Sequence, residues 1–378
     1  MLKLNKALLS LTTIFFILTF SACTTEEIIK TDKSTKNNST EVSGKELSAD
    51  QSGKYKASLG NNIVVDAVVD KPNINNASIL QVEDAVFDEK KLCDIFLGSS
   101  VVKKEKSPYS TQYSIGGRIL DIPFKAPFKV NTPLSKHIDT IVNTLQSGNL
   151  NKFKSQELPF MTKEKAIEEA RKVLMELSII PYGSPTVYAL DNKTIKQEQE
   201  RLLREDKAFK DFVDMGKIRL KDNWSNEDDS YYIFFRNSIR SIPCDPFGYA
   251  VTNTDIQAEG SEVSILISKN GIQSFFINGT VYREKSVKKS NLPLITISQA
   301  LISIEKKYSD VILSDKIVVS GISLVYSPVV TNSKGENRNI ELIPTWLFNI
   351  NQRESKGKEE TQIYTNVRIN AVDGKEIR

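Results

Sequence analysis

The residues with the sharpest intrinsic chemistry in this 378-residue chain are one histidine, three cysteines and a single dense acidic run. His137 is the sole imidazole, so any Ser-His-Asp or Cys-His nucleophilic site would have to use it. It stands beside Ile138 but off the apolar stripe of its segment, with no GxSxG pattern in support. The sequence therefore gives it a surface or partly packed place. The acidic run "DNWSNEDDS" offers Asp222, Glu227, Asp228 and Asp229 as oxygen donors for calcium. Its spacing is not that of an EF-hand loop and the central glycine is missing, so it reads as a solvated loop ahead of a strand at Tyr231. There is no His pair and no closely spaced Cys pair for zinc, and no phosphate loop or dinucleotide fingerprint. No catalytic residue, metal or cofactor is expected, and the chain is not expected to be an enzyme. Cys93 and Cys244 are open to two readings, a disulfide formed outside the cell or two buried thiols. Cys93 lies in "DEKKLCDIFLG" beside Leu92, Ile95 and Phe96 on an expected helix, which favours the thiols.

The third cysteine, Cys23, has the most distinctive context. A basic head with Lys3 and Lys6 precedes the uncharged run Ala7 to Phe20, followed by the small residues Ser21 and Ala22. Charged start, apolar middle and small residues at the end form the layout of a secretory signal. The 16 residues between Lys6 and Cys23 include several Ser and Thr, and they fall short of the roughly 20 apolar residues a membrane-spanning helix needs. The tetrad "FSAC" resembles the bacterial lipobox, with Phe20 where leucine is usual. That resemblance implies cleavage before Cys23 and transfer of a diacylglycerol to its sulfur. Two acyl chains anchor a protein stably where one is marginal. The expected location is the extracytoplasmic face of the cell membrane.

Hydrophobic content of 39% and charged content of 26% fit a folded chain with a substantial core. The net charge of +4 is not gathered into basic clusters, which excludes a nucleic-acid partner. After the leader at 1–22, residues 23–60 are rich in Ser, Thr, Lys, Asn and acids. They hold too few large apolar residues to offset ordering entropy, and read as a disordered tether. Order is expected from Asn62. A smaller α+β domain over 61–150 contains strands at "NIVVDAVV" and "SILQVEDAVF". It also holds a helix capped by Asp88 and stopped by Gly98, and a helix with Ile138, Ile141, Val142 and Leu145 on one face, ended by Gly148.

Two later segments then share a pattern. "MTKEKAIEEARKVLMEL" is an amphipathic helix capped by Thr162, with Ala166, Ile167, Ala170, Val173, Leu174 and Leu177 inward. "PLITISQALISIEKKYSD" repeats it, Thr296 standing for Thr162 and Ala300 for Ala166. Strands follow each helix, and in each copy a late strand enters a tight turn, Asn270-Gly271 and Asp373-Gly374, whose residues suit positive φ. The separation of the turns is shorter than that of the helices. A charged helical insertion over 192–218 in the first copy accounts for the difference. The units so defined are 160–279 and 293–378.

The helix opened by Thr-x-x-x-Ala-Leu, the strand "IPTWLFNI" and the closing strand "INAVDGKEI" resemble a PepSY-like module, best in 293–378 and more loosely in 160–279. The opening, "IVVDAVVDKPNINNASILQVEDAVFDEKKLCDIFLG", is similar to uncharacterised lipoproteins of Gram-positive bacteria. The fold class implied is α+β, antiparallel sheets each packed by a helix, in two tandem units after the N-terminal domain. The role implied is non-enzymatic: binding or regulating a peptidase or a membrane protein from outside the cell. It carries over no catalytic residue. A carboxylate-based hydrolase of cell wall or peptide, and a structural part of an envelope or spore assembly, are the alternatives. Alternation in "QIYTNVRINAV" places Ile363, Thr365, Val367 and Ile369 on one face and Tyr364, Asn366, Arg368 and Asn370 on a wetter one. That wet face, or an exposed edge strand, is able to take an extended peptide. Pro344 lacks an amide donor, which predicts an edge strand or a strand start, and Trp346 is expected in the core.

Overall fold

The computed structural model describes residues 54–60, 62–98, 103–142, 149–153, 156–250, 257–309, 316–332, 339–356 and 359–377. Residues 1–53, which take in the expected leader, Cys23 and most of the expected tether, lie outside the described residues, as do Leu145 and Gly148.

The chain begins with strands β1 (Lys54–Leu59), β2 (Ile63–Asp70) and β3 (Asn76–Asp84), then helix α1 (Glu89–Leu97). Strands β4 (Lys103–Lys106), β5 (Ser110–Ile115), β6 (Arg118–Pro123) and β7 (Lys129–Asn131) follow, then α2 (Pro133–Val142). Next come α3 (Lys163–Glu176), β8 (Pro181–Leu190), α4 (Asn192–Glu205), α5 (Lys207–Asp214) and β9 (Ser230–Ile239). Three two-residue strands, β10 (Ile242–Pro243), β11 (Tyr249–Ala250) and β12 (Gln257–Ala258), lead to β13 (Ser261–Ser268), β14 (Gly271–Gly279) and β15 (Tyr282–Pro293). The chain ends with α6 (Ile297–Ser309), β16 (Ile317–Asn332), β17 (Asn339–Lys356), β18 (Glu359–Asn370) and β19 (Glu376–Ile377).

This is a mixed α+β fold with two large sheets. The first runs β10-β9-β13-β14-β7-β6-β5-β4, with β8 also on β9; the second runs β1-β2-β16-β17-β18-β19, with β3 between β17 and β15. Pairing is antiparallel throughout both, apart from the parallel pair β2 and β16. Two sequence expectations need correction. Lys54–Leu59, assigned to the tether, is a strand paired along its length with β2, and buries Tyr55 under α6. Residues 61–150 do not make a separate domain: β1–β3 build the second sheet, whereas β4–β7 extend the first. The local pattern of each strand was legible, but the partners that assign β2, β3 and β7 to their sheets lie more than a hundred residues away, where no local signal reaches.

The helices expected after Asp88 and Thr162 form with the predicted caps. Asp88 Oδ1 accepts from Lys91 N at 2.7 Å, and Thr162 Oγ1 accepts from Lys165 N at 3.3 Å. Each satisfies an amide the first turn leaves open. Buried Ala166, Ala170 and Leu174 of α3 pack on odd-numbered residues of the first sheet, including Ile233, Phe235, Val263 and Ile265. Buried Ala300, Leu301 and Ile304 of α6 pack on Ile322, Leu324, Phe348 and Ile369 of the second. In both, the helix is followed along the chain by a meander, β8-β9-β13-β14 after α3 and β16-β17-β18-β19 after α6. At the two turns only Gly271 and Gly374 take positive φ, at 78° and 74°; Asn270 and Asp373 do not. The paired positive angles expected of those dipeptides are thus supplied by the glycine alone.

Pro344 lies inside an 18-residue strand, not at an edge. β17 pairs with β16 on one side, Pro344 opposite Tyr326. On its other side it pairs with β3 at Ile340–Leu342 and with β18 from Thr345 onward. The proline sits at the handover between two partners, where its missing donor costs no ladder bond, and its carbonyl still accepts from Ala371 N at 2.8 Å. Trp346 is core, with Nε1 donating to Ile295 O at 3.0 Å.

Candidate functional site

His137 Nδ1 lies 3.0 Å from Arg219 O, tying α2 to the chain that follows α5. The acidic run is occupied by structural duties. Asp229 Oδ1 accepts from Asn192 N at 2.8 Å and Nδ2 at 2.7 Å, fastening the start of α4. Asp228 accepts from Ser225 N at 2.9 Å and pairs with Lys221, while Glu227 pairs with Lys269. Among the described residues no group of three potential ligands gathers around a common point. Cys93 and Cys244 are both free thiols, Cys93 half-buried on α1 and Cys244 buried beyond β10. Burial pushes the Cys244 thiol up to about 12, which removes it from thiolate chemistry at neutral pH.

The charged insertion is packed into the fold. α4 and α5 bury Ile195, Leu202 and Phe209 against Ile138 and Ile141 of α2 and against Tyr232 and Leu266. Those last two are even-numbered residues of β9 and β13, on the face opposite α3. The insertion therefore covers the back of the first sheet. On its surface, Glu198 is buried and salt-bridged to Lys152 and Arg201, at 2.8 and 2.5 Å. Burial works to raise that carboxyl, but hydrogen bonds from Arg201 and Lys152 outweigh it and hold it below its ordinary value.

The expected wet face of β18 is also partly covered. Arg368 is only 7% exposed and Asp245 is fully buried, with Nε to Oδ2 at 2.7 Å. Asp245 Oδ2 also accepts from Ser327 Oγ at 3.0 Å, and Oδ1 from Phe247 N at 2.9 Å. Arg368 Nη2 donates to Phe247 O at 3.1 Å, and its guanidinium lies 4.8 Å from the Tyr249 ring centre. The backbone of Asp245 joins Tyr326 O of the second sheet to Ser261 N of the first, each at 2.9 Å. Segment 244–249 is thus a clasp between the sheets. Gly260 beside it has no room for a side chain: a Cβ there would overlap the Pro246 carbonyl. Burial raises Tyr249 and Tyr326 at the same joint to about 12.

The surface feature best suited to contact a partner is an apolar recess of about 290 Å³. Its walls are Ala85–Phe87, between β3 and α1, and Pro123–Phe128, between β6 and β7; Leu92 and Phe128 line its base. The base is rigid. Phe87 and Phe128 meet edge to face at 5.1 Å, and Phe128 stacks on Phe275 at 5.2 Å. The rim is unusually open: Val86 is 96% exposed and Phe124 63%. Tyr109, 79% exposed, adjoins through a hydrogen bond from Phe124 N to Tyr109 O at 3.0 Å. Single exposed apolar residues are ordinary, whereas a cluster of this kind marks an interaction site. Asp84 and Glu259 line the same recess, with Thr280 Oγ1 donating to Asp84 Oδ1 at 3.1 Å. Sequence reasoning missed this site. Its signal is apolar residues in loops, "AVF" and "PFKAPF", that belong to no helical or alternating period.

No family model matches this chain and no curated protein matches it. Among solved structures it is similar to an uncharacterized protein from Eubacterium rectale ATCC 33656, whose crystal structure was determined at 1.45 Å resolution. The likeness has a TM-score of 0.62 at 16% identity, and covers 86% of this chain and 93% of that one. It therefore extends over both sheets together and concerns the fold alone.

Proposed function

We propose that this protein is an extracytoplasmic lipoprotein, held on the cell membrane by diacylglycerol on Cys23, that binds and regulates a peptidase or membrane protein without catalysing a reaction. The observation that carries the binding role is the recess rimmed by Val86 and Phe124, with exposed Tyr109 adjoining, which offers an apolar side chain of a partner a preformed seat. The two successions of helix and meander support reading 160–279 and 293–378 as PepSY-like units, and "FSAC" supports the anchor. The test is cross-linking in the native host. Wild-type protein is expected to yield a discrete adduct with an extracytoplasmic partner, and Val86→Ser with Phe124→Ser is expected to abolish it at unchanged protein level. An adduct unaffected by the double substitution removes the recess from the reading. Mass spectrometry is expected to find a diacylglyceryl group on Cys23, and an intact leader in mature protein would end the anchor proposal.

A second reading, a carboxylate hydrolase, draws on Asp84 and Glu259 sharing the recess. It is the weaker, because Asp84 is solvent-exposed and already accepts a hydrogen bond from Thr280. Turnover of cell-wall or peptide substrates lost in Asp84→Asn and Glu259→Gln would favour it over regulation.

A further inference from the structure

The strands that end the sheets carry devices that discourage pairing with another chain. β1 bears Lys54 and Lys56, and β4 bears Lys103, Lys104 and Lys106. β15 bears three lysines and is broken by register shifts against β3. β8 has Pro181, Gly183 and Pro185, with a shift between Tyr182 and Thr186. Lysines, prolines and bulges are the ordinary guards of an open edge.

The outer side of β18 differs. β18 pairs with β17 along its whole length without a bulge, but β19 covers its other side only at Arg368 and Ile369. Two hydrogen bonds fix which amides point where. Ala371 N donates to Pro344 O on β17, and Asn370 N donates to Lys375 O on the far side, each at 2.8 Å. Amide direction alternates along a strand, so Gln362, Tyr364 and Asn366 turn both N–H and C=O away from β17. No described strand lies across from them. The stretch Gln362–Val367 holds no charge, no proline and no glycine, and its Tyr364 is 69% exposed.

We propose that this edge is a self-association site, where β18 of a second copy of the chain adds antiparallel across a two-fold axis near Tyr364. A second copy is the occupant that fits. The stretch Gln362–Val367 is uncharged and so offers no charge by which to select a foreign sequence. Two-fold antiparallel pairing also brings like amides of the two copies into register, since even-numbered residues meet even-numbered ones. β19 stops the pairing at Arg368, which limits slippage. The result is one continuous sheet through both copies, with the two α6 helices on related faces.

The experiment is sedimentation of the full chain in mild detergent at tens of micromolar, a range set by the modest size of one strand pair. The wild type is expected at twice the chain mass. Tyr364→Pro, which removes an outward donor only, and Tyr364→Lys, which adds a repelling charge, are each expected at the single-chain mass with unchanged circular dichroism. Thr365→Pro removes a donor that faces β17 and is the comparison for damage to the sheet, expected to lower the melting temperature. A wild type that sediments as a single chain overturns the proposal. So does a dimer that survives Tyr364→Lys, or a single-chain wild type that instead takes up an extended peptide along β18.

Discussion

The two sheets begin alike, a helix laid over a meander, and diverge in what covers the other face. In the first, the meander is interrupted after β8 by α4 and α5, which join α2 in closing that face with apolar side chains. In the second, β16, β17 and β18 run without inserted elements, and the far side is closed near Tyr326 and Arg368 by the clasp at 244–249. One sheet is thus backed by helices and the other by the segment 244–249 with its buried ion pair. The contrast teaches that a repeated local pattern fixes the inner face of each layer, while inserted segments decide whether the outer face is core or surface.

Removing 192–218 tests the first backing and has the largest expected effect. It uncovers Ile138, Ile141, Tyr232 and Leu266 together, so cooperative unfolding in denaturant is expected to vanish. The single change Phe209→Ala should cost about 3–5 kcal/mol, read from the same transition. For the second backing, Arg368→Met leaves the Asp245 carboxylate buried without its cation. Breaking a buried pair in this way costs about 3–5 kcal/mol, and the double change with Asp245→Leu should recover part of the loss. Gly260→Ala forces a methyl against the Pro246 carbonyl. A cost of about 1–3 kcal/mol is expected from overpacking, seen as a lower melting temperature.

The smallest effect is a pH dependence. Cys244 is held protonated in the fold, with its thiol raised from 9.0 to about 12. Its contribution to stability is therefore complete below pH 9 and is lost as pH rises towards 12. Tyr249 and Tyr326 act in the same direction from 10.0 to about 12. Stability is expected to fall above pH 9, and Cys244→Ala should flatten the first part of that fall in pH-dependent denaturant titrations. Glu198 works at the acid end with the opposite sign: its value is depressed, so its contribution is present above the ordinary carboxylate range and fades as pH drops through the folded value.

Much of this fold was legible because its signals are local. Helical spacing found α3 and α6 with their caps, alternation found β2 and β18, and the turn glycines Gly271 and Gly374 marked two hairpins. What stayed hidden depends on distant partners. Pro344 is a sound reason to expect an edge, yet the strand is central because two neighbours change places beside it. Arg368 looked solvent-facing by period alone, and nothing local reveals that Asp245 arrives to bury it. Of the candidate site, Phe124 and Val86 carried a signal only as apolar residues without a period. The recess itself needs α1, β3 and β6 brought together.

The parallel pair of β2 with β16 bears on how the polypeptide reaches its native form. Ile63 lies against Ile317, so a hairpin made near the start of synthesis cannot complete its layer until nearly the last stretch has been translated. Contacts of such sequence separation are slow to close and leave apolar strands uncovered meanwhile. A chain built this way has no means of locking its central layer before translation is almost finished.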